Sequence, residues 1–381
     1  MKRRSHKKSR GGCLECRRRH IKCDETQGAC VNCITAERHC QYRGQSTPST
    51  TSPTNNEDDD VSRPAVVASS PGFIADLQES PGDPAVNLDH MELLIHFSSA
   101  AAIPEIERRG DARHATDFIL KKSLEAPYLL HQVLAISARH LSVVNMSKAA
   151  FYHHMATQLQ TRSISLFKAS QLHVDSSNCV PMLVYSAMLG RHLLADVLAN
   201  QTTDLISFLE SFVQYVRLHR GVRAIASGNW TLIQDSELQP FIKWGSPPRD
   251  LTGKGSECDG LKRLLVEQSH LDEASLDACR ATVDIFQVGF DELNNPSPER
   301  SPYSLVFNWT LMGPVEFFQL LERRQPEAIA IMGYYAILLH RGRHIWQISD
   351  GGIRLLRSVS QYLGPAFDPW LSWPRELVST P

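Results

Sequence analysis

The chain has 381 residues and a formal net charge of −1. No uninterrupted apolar run approaches the ~20 residues of a membrane span, so the sequence predicts no transmembrane helix. The neutral total hides an uneven distribution, because residues 1–45 carry twelve Lys or Arg against four acidic residues, a balance of +8, and residues 46–381 carry −9. A basic end of this kind indicates a nucleic-acid partner.

The first residues, 1–12, contain six Lys or Arg and no apolar stretch that would act as a secretory signal. We expect a disordered tail here, because the segment has little apolar surface to bury. Such a run is typical of a nuclear localisation signal and of a nonspecific DNA-binding arm.

Six cysteines follow within 28 residues in the spacing C-x2-C-x6-C-x6-C-x2-C-x6-C. They are Cys13, Cys16, Cys23, Cys30, Cys33 and Cys40. The pattern is one C-x2-C-x6-C unit written twice with an offset of 17 residues, and each unit offers three sulfurs to a metal ion. Tetrahedral zinc needs four ligands, so six sulfurs complete two zinc sites only if two thiolates bridge both ions. The twofold repeat makes Cys13 and Cys30 the simplest bridges.

Two other interpretations of the cysteines stay open at this point. A disulfide framework needs an oxidising compartment, yet the N-terminus, Met1-Lys2-Arg3-Arg4, has no apolar export signal. An unrelated module with a single zinc ion would leave the exact repeat of the spacing unexplained.

The segment of residues 13–43 resembles the fungal binuclear zinc cluster, Zn2Cys6, of transcription factors. The resemblance covers all six cysteines, the basic run at residues 17–22 and Tyr42. It implies a nuclear, sequence-specific regulator of RNA polymerase II genes that holds two Zn2+ ions. It also implies that the first and fourth cysteines bridge the ions, in agreement with the symmetry of the repeat.

In that family, the end of the first helix reads a CGG-like DNA triplet in the major groove. The matching positions for base contacts in this chain are Arg19 and His20. The expected contacts to the DNA backbone are the neighbouring cations Arg17, Arg18 and Lys22. Two positions depart from the family pattern, since His20 replaces the commonest Lys and a glycine replaces the proline two residues before the fourth cysteine.

Residues 44–88 are rich in Ser, Thr, Pro and Asp, and they include an acidic run at residues 57–60. This composition predicts a disordered linker, because it offers too little apolar surface to offset chain entropy. No heptad repeat follows the cysteines. We therefore expect either monomeric DNA binding or a homodimer formed through the domain downstream.

Residues 89–381 show helical periodicity almost throughout, which predicts a large all-helical domain. One predicted apolar face contains Met91, Leu94, Ile95 and Ser98; a second lies on residues 130–141 and a third on residues 205–218. The further predicted helices span 148–170, 181–200, 261–269, 273–291, 314–324, 326–344 and 351–363. Three of them begin with proline at the first helical position.

Residues 227–260 interrupt the helical pattern and are expected to form a long ordered loop with one short helix. Within it, residues 252–256 resemble a phosphate-binding loop superficially. Pro248 stands where that motif requires a glycine, and Gly255 stands where it requires Ser or Thr. We therefore reject a phosphate-binding loop.

The sequence contains no G-x-S-x-G, H-E-x-x-H or G-x-G-x-x-G motif, so it predicts no enzyme. The histidines are scattered, without acidic or thiol partners at metal spacing, and are expected on the surface or within the core. The most closely spaced are His131, His140, His153, His154, His340 and His344. The isolated Cys179, Cys258 and Cys279 are expected to be buried thiols.

The helical domain resembles, more loosely, that of zinc cluster factors of the sterol uptake control type. The resemblance lies in residues 89–94, 218–224, 330–340 and 370–374. It implies a helical bundle that dimerises and encloses a small apolar, sterol-like ligand. The aromatic residues compatible with such a pocket, and equally with plain core, are Phe317, Phe318, Trp346, Trp370 and Trp373.

The sequence thus predicts a small metal-stabilised Zn2Cys6 module, a disordered linker and a large all-α regulatory domain. The function it favours is transcription regulation through double-stranded DNA with CG-containing sites. The alternative is a lipid-binding or enzymatic helical protein in which the cluster serves only as a DNA or nuclear address.

Overall fold

The computed structural model describes residues 11–19, 21–26, 30–36, 38, 40–42, 86–99, 112–170, 173–199, 204–227, 245, 248 and 251–379, with the backbone alone at 112–114 and 222–227. The chain divides into two compact units, Met1–Pro81 and Gly82–Pro381. The predicted tail and linker fall almost entirely outside the described residues, as does most of the predicted loop at 227–260.

The described regular elements are helices. In the first unit they are α1 (Leu14–Arg18) and α2 (Val31–Ile34). In the second unit, the helical unit, they are α3 (Leu88–Ser98), α4 (Ala112–Glu125), α5 (Pro127–Val144), α6 (Ala149–Ser170), α7 (Cys179–Ala199), α8 (Leu205–Ser227), α9 (Asp259–Glu267), α10 (Glu273–Asn294), α11 (Ser304–Met312), α12 (Val315–Glu322), α13 (Pro326–Arg341), α14 (Gly351–Leu363) and α15 (Asp368–Ser379), with 3₁₀ turns at Met146–Lys148 and Pro365–Phe367.

The helical unit is built around α13. Every residue of α13 from Glu327 to Leu339 is buried, and α10, α11, α12, α14 and α15 pack around it. A helix that is apolar on all sides must be surrounded in this way, because no face of it can meet water without cost. The largest core of the unit therefore lies in its C-terminal half.

Two smaller cores lie in the N-terminal half of the unit, where α5 is the shared wall. One joins α5 to α4 and α7 through side chains such as Leu129 and Tyr185, and the other joins α5 to α3 and α6 through Leu93 and Tyr152. Buried hydroxyls reinforce the second junction, since Ser137 Oγ donates to the Leu93 carbonyl at 2.7 Å.

Among the described helices, α7 has the length and apolar composition that a membrane span would need. In its most apolar window, 67% of the helix is buried inside the unit. Packing against α5 and α8 accounts for this composition.

Most predicted helices are confirmed, with differences at their ends. Helix α14 has the predicted bounds, and α6 begins one residue later than predicted. Pro326 is the first residue of α13, as predicted, but Pro314 is the N-cap of α12. Pro181 lies in the first turn of α7, two residues after its start. A proline fits anywhere in a first turn, because the amide hydrogens there have no partner within the helix.

The predicted apolar face of α3 is wrong. Leu93 and Phe97 are buried, whereas Met91 is 40% exposed and Ile95 is 70% exposed. The helix carries apolar side chains on two opposite faces, so its periodicity alone does not decide which face packs. A smaller error of the same kind concerns α8, in which Leu218 is exposed and the rest of the predicted stripe packs inward.

Three helices were not predicted: α4, α11 and α15. Helix α11 has the sequence SLVFNWTLM, which is apolar on nearly every side and shows no amphipathic stripe. Six of its nine residues are buried. A search for helical periodicity misses such a segment, because full burial removes the contrast between faces.

Candidate metal centre and nucleic-acid interface

The two halves of the cysteine segment fold alike. Cys13 and Cys30 are the N-caps of α1 and α2, with backbone angles φ −60°, ψ 158° and φ −77°, ψ 150°. The amide of Cys13 donates to Cys23 Sγ at 3.5 Å, and the amide of Cys30 donates to Cys40 Sγ at 3.2 Å. Each bond has its counterpart 17 residues later, so the sequence repeat is also a structural repeat.

The sulfurs of this segment converge in two groups of four. Within each group, the Sγ atoms lie within 4.8 Å of one another. The groups are Cys13, Cys16, Cys23, Cys30 and Cys13, Cys30, Cys33, Cys40. Cys13 and Cys30 belong to both groups, and their Sγ atoms are 3.6 Å apart. These are the two positions that the sequence predicted as bridges.

The donor set fits zinc. Zinc–sulfur bonds of about 2.3 Å in a tetrahedron place two sulfurs about 3.7 Å apart. The measured separations, 3.5 Å for Cys16 to Cys30 and 3.6 Å for Cys13 to Cys33, match this edge. Burial raises the pKa of Cys16 to about 12, so a thiolate at this position requires a cation beside it. All nine cysteines are free, which contradicts the disulfide framework.

Polar contacts hold the segment together around the sulfurs. The Asp24 carboxylate accepts a hydrogen bond from the amide of Val31 at 3.0 Å, at the start of α2. The Tyr42 hydroxyl donates to the Thr26 carbonyl at 2.9 Å and lies 3.7 Å from Cys23 Sγ. The hydrophobic cluster of this unit consists of the cysteines themselves with Tyr42 packed against them. Metal binding is therefore the main source of folding free energy for such a module.

The exposed face of α1 is basic. Arg17, Arg18 and Arg19 are exposed, as is Lys22 just beyond the helix, and His20 lies outside the described residues. The structure thus places four of the five predicted DNA contacts on the surface next to the sulfur cluster. Arg19 is the C-cap of α1, the end of the helix that sequence analysis assigned to base contacts.

Glu15 joins the two halves of the cluster, which sequence reasoning missed. Its carboxylate pairs with Arg18 at 2.9 Å and with Arg38, which follows α2, at 3.0 Å. The spacing of Glu15 and Arg18, three residues on one helix, is a signal that could have predicted the first pair. Nothing in the sequence pairs Glu15 with Arg38, because that contact depends on how the metal-binding halves meet.

The two arginines change the acidity of Glu15. Partial burial of its side chain raises the pKa of the carboxyl, but hydrogen bonds and positive charge from Arg18 and Arg38 outweigh that effect. The net result is a pKa below the usual value, so Glu15 stays ionised at neutral pH. Both guanidinium groups are therefore oriented by a permanent negative charge.

Comparison with known proteins bears on this segment directly. Residues 11–49 match the family described as "Fungal Zn(2)-Cys(6) binuclear cluster domain". The chain belongs to the fungal Zn(2)-C6 transcription factors. The cluster of this family binds two zinc ions, which agrees with the two groups of sulfurs. Bound zinc supplies the positive charge and fourfold coordination that hold the thiolates together.

The relatives of this Zn(2)-C6 protein differ in how much of the chain they match. The Zn(2)-C6 fungal-type transcription factor afumD of Aspergillus fumigatus is 25% identical over 85% of this chain and 83% of its own length. A Zn(2)-C6 fungal-type transcription factor of Gibberella zeae is 22% identical over 98% of this chain and 86% of its own length. Sterol uptake control protein 2 of Saccharomyces cerevisiae is 49% identical, but over 11% of this chain and 4% of its own length. The relatives are transcription factors rather than enzymes, as the sequence analysis expected.

The piece at residues 252–256 carries an internal carboxylate in place of a phosphate. The amides of Lys254 and Gly255 donate to the two oxygens of Asp291, at 2.6 and 2.9 Å. A side chain added at Gly253 or Gly255 would collide with Gln287. The glycines of this Zn(2)-C6 factor thus serve close packing of the loop on α10, and the rejection of a phosphate-binding loop stands.

The aromatic residues considered for a ligand pocket lie mostly in the core. Phe317, Phe318 and Trp370 are buried in the main core of the helical unit, with Trp373 packed against it, and Trp346 packs on the α5 side. None of them lines the cavity of about 130 Å³ between α7, α8 and α11. Pockets for drug-sized ligands measure roughly 300–1,000 Å³. That cavity is thus too small for a sterol.

Proposed function

We propose that this protein binds CG-containing DNA through α1 and regulates transcription by RNA polymerase II in the nucleus. The observation that carries the proposal is the exposed basic face of α1, beside two groups of sulfurs that share Cys13 and Cys30. In this proposal residues 13–43 are the DNA-binding domain and residues 89–381 the regulatory domain. The metal ligands are Cys13, Cys16, Cys23, Cys30, Cys33 and Cys40.

The cations of α1 divide into two roles. Arg19 and His20 contact base edges, because they end the helix that enters the major groove. Arg17, Arg18 and Lys22 contact phosphates and set the position of the helix. The helical unit supplies regulation, and dimerisation through it would pair two clusters on one site.

The first test is a gel shift with the full chain, with and without a zinc chelator. Chelation should abolish binding to a CG-containing duplex, and so should Cys13→Ser, because loss of a bridging sulfur removes a ligand from both ions. Binding that survives chelation would contradict the proposal. The alternative function, in which the cluster is only an address, predicts that Cys13→Ser keeps the activity of the helical unit on regulated genes when a separate nuclear signal is fused to it.

The second test separates the two roles of the cations. Arg19→Ala should cost about 1–3 kcal/mol on the cognate site and less on a scrambled one, since a base contact is lost. Arg17→Ala and Lys22→Ala should weaken both duplexes alike and flatten the salt dependence by about one unit each. Equal losses on cognate and scrambled DNA for all three variants would contradict the assignment.

A further inference from the structure

A small polar cavity lies inside the helical unit, between α7, α8 and α11. Its volume is about 130 Å³. The residues that matter for its chemistry are Ala187, Arg191, His219, Ser304, Phe307 and Asn308. The DNA-binding proposal uses none of them.

The positive charge of the cavity is held in a fixed place. The guanidinium of Arg191 lies over the ring of Phe307, 4.0 Å from its centre. Stacking of this kind leaves the edge of the guanidinium, with its N–H donors, available to a planar anion. No acidic residue is among the described residues that line the cavity. An anion would therefore enter without meeting a like charge in the wall.

Ser304 provides the second observation. The residue is 4% exposed, and among the described residues its hydroxyl has no hydrogen-bond partner. A buried hydroxyl without a partner costs free energy, and native structures contain few of them. Ser304 lines the cavity, so a ligand oxygen there would satisfy it.

The size of the cavity limits what can fill it. An engineered protein cavity of about 150 Å³ holds benzene, which has six heavy atoms. The apolar wall formed by Phe307 and Ala187 suits a short hydrocarbon chain and leaves the extra oxygens of a phosphate without partners. The polar atoms suit a single carboxylate, which guanidinium groups bind with two parallel hydrogen bonds.

We propose that this cavity binds a small organic carboxylate of about six heavy atoms. Arg191 and Ser304 donate hydrogen bonds to the carboxylate, and the chain of the ligand packs on Phe307 and Ala187. The proposal concerns the helical unit, and it holds whether or not α1 reads DNA.

Butyrate, its neutral analogue butyramide and inorganic phosphate are the probes, titrated calorimetrically into the full chain. Butyrate should bind saturably, and butyramide should bind at least tenfold more weakly because it carries no charge for Arg191. Saturable binding of phosphate with an affinity equal to that of butyrate would overturn the assignment to carboxylates. Absence of saturable binding by butyrate would mean that the cavity holds only water, and would overturn the proposal.

Ser304→Ala separates a ligand contact from a structural role. The variant should lower butyrate affinity about tenfold while the melting temperature stays unchanged or rises, because the hydroxyl has no partner to lose within the described protein. Arg191→Gln should abolish detectable binding. The matched control is Arg217→Gln on α8, where an exposed arginine pairs with Glu322, and it should keep full affinity. Unchanged affinity in Ser304→Ala and Arg191→Gln would contradict the site.

Discussion

At the scale of single residues, Glu15 is an acidic side chain in the middle of a basic surface. A carboxylate there weakens the attraction to DNA, so its retention needs a structural reason. The pairs with Arg18 and Arg38 supply one, because they connect the first half of the cluster to the second. We infer that Glu15 orients both arginines toward the DNA backbone.

Replacing Glu15 by Gln should raise affinity for all DNA and reduce discrimination. The added positive charge strengthens attraction to phosphates on any sequence. Because Arg18 and Arg38 lose their fixed orientation, the ratio of cognate to scrambled affinity should fall about two- to fivefold. Gel shifts on both duplexes measure this ratio, with zinc content as a check on folding.

Glu25→Gln is the matched control for that experiment. It makes the same change of charge, and the Glu25 carboxylate accepts a hydrogen bond from the Gly11 amide rather than pairing with an arginine. Its affinity should rise on both duplexes with the ratio unchanged. A fall in the ratio as large as that of Glu15→Gln would show that charge alone, and not orientation, explains the effect.

His192 makes the stability of the helical unit depend on pH. Its ring is buried between the Gln132 amide, at 3.2 Å, and the Asp196 carboxylate, at 3.6 Å, which also pairs with Arg139. Burial lowers the pKa of His192 to about 4, against a small opposing effect from Asp196. The ring is therefore neutral in the folded chain, whereas the unfolded chain takes up a proton below about pH 6.5.

The free energy of unfolding should consequently fall as the pH drops from 6.5 toward 4, by up to about 1.4 kcal/mol per pH unit for this residue. His140, whose pKa burial also lowers to about 4, adds to the same slope. Urea unfolding followed by helical circular dichroism at pH 6.5 and 5.5 measures it. His192→Gln should reduce the slope, and the exposed His173→Gln should not; an unchanged slope in His192→Gln would contradict this explanation.

At the scale of elements, the contact between α13 and α14 depends on a glycine. A Cβ atom at Gly352 would lie 2.4 Å from the Ala336 carbonyl oxygen and 2.7 Å from the His340 amide. Both neighbours are backbone atoms of the central helix, so they cannot move aside as a side chain would. The two helices approach this closely only because residue 352 has no side chain.

Gly352→Ala should therefore destabilise the helical unit by about 1–3 kcal/mol, the usual cost of overpacking. Gly260→Ala is the control, because a Cβ atom there meets nothing within 4 Å and alanine favours helix. The control should be neutral or stabilising by about 0.5–1 kcal/mol. Equal melting temperatures for the two variants would mean that α14 shifts freely on α13, against the packing described.

The elements also show what sequence reasoning could reach. Amphipathic helices such as α6 and α14 were predicted with nearly their observed bounds, because one polar face marks them. Helix α11 was missed, since it is buried on almost all sides, and the packed face of α3 was assigned wrongly, since that helix is apolar on two sides. In both cases the answer depends on which neighbours surround the helix, which local periodicity does not contain.

At the scale of the whole molecule, the metal centre was largely predictable and its surroundings were not. The spacing of six cysteines led to two groups of sulfurs sharing Cys13 and Cys30, because a repeat of ligands requires a repeat of structure. The link through Glu15 and the cavity beside Arg191 join residues far apart in sequence. Such contacts follow from the folded arrangement and leave no spacing pattern to read.

The division of labour between the two units rests on the zinc cluster. If the sulfurs of residues 13–40 hold two shared ions, the first unit folds without an apolar core and presents α1 to DNA. Loss of either bridging cysteine should then remove both ions together, whereas Cys179→Ser, on α7, should leave the zinc content unchanged.

Native mass spectrometry of the full chain measures this most directly. The account predicts two zinc ions per chain in the unaltered protein and in Cys179→Ser, and none in Cys13→Ser or Cys30→Ser. A chain carrying one zinc ion or none, with DNA binding intact, would contradict it.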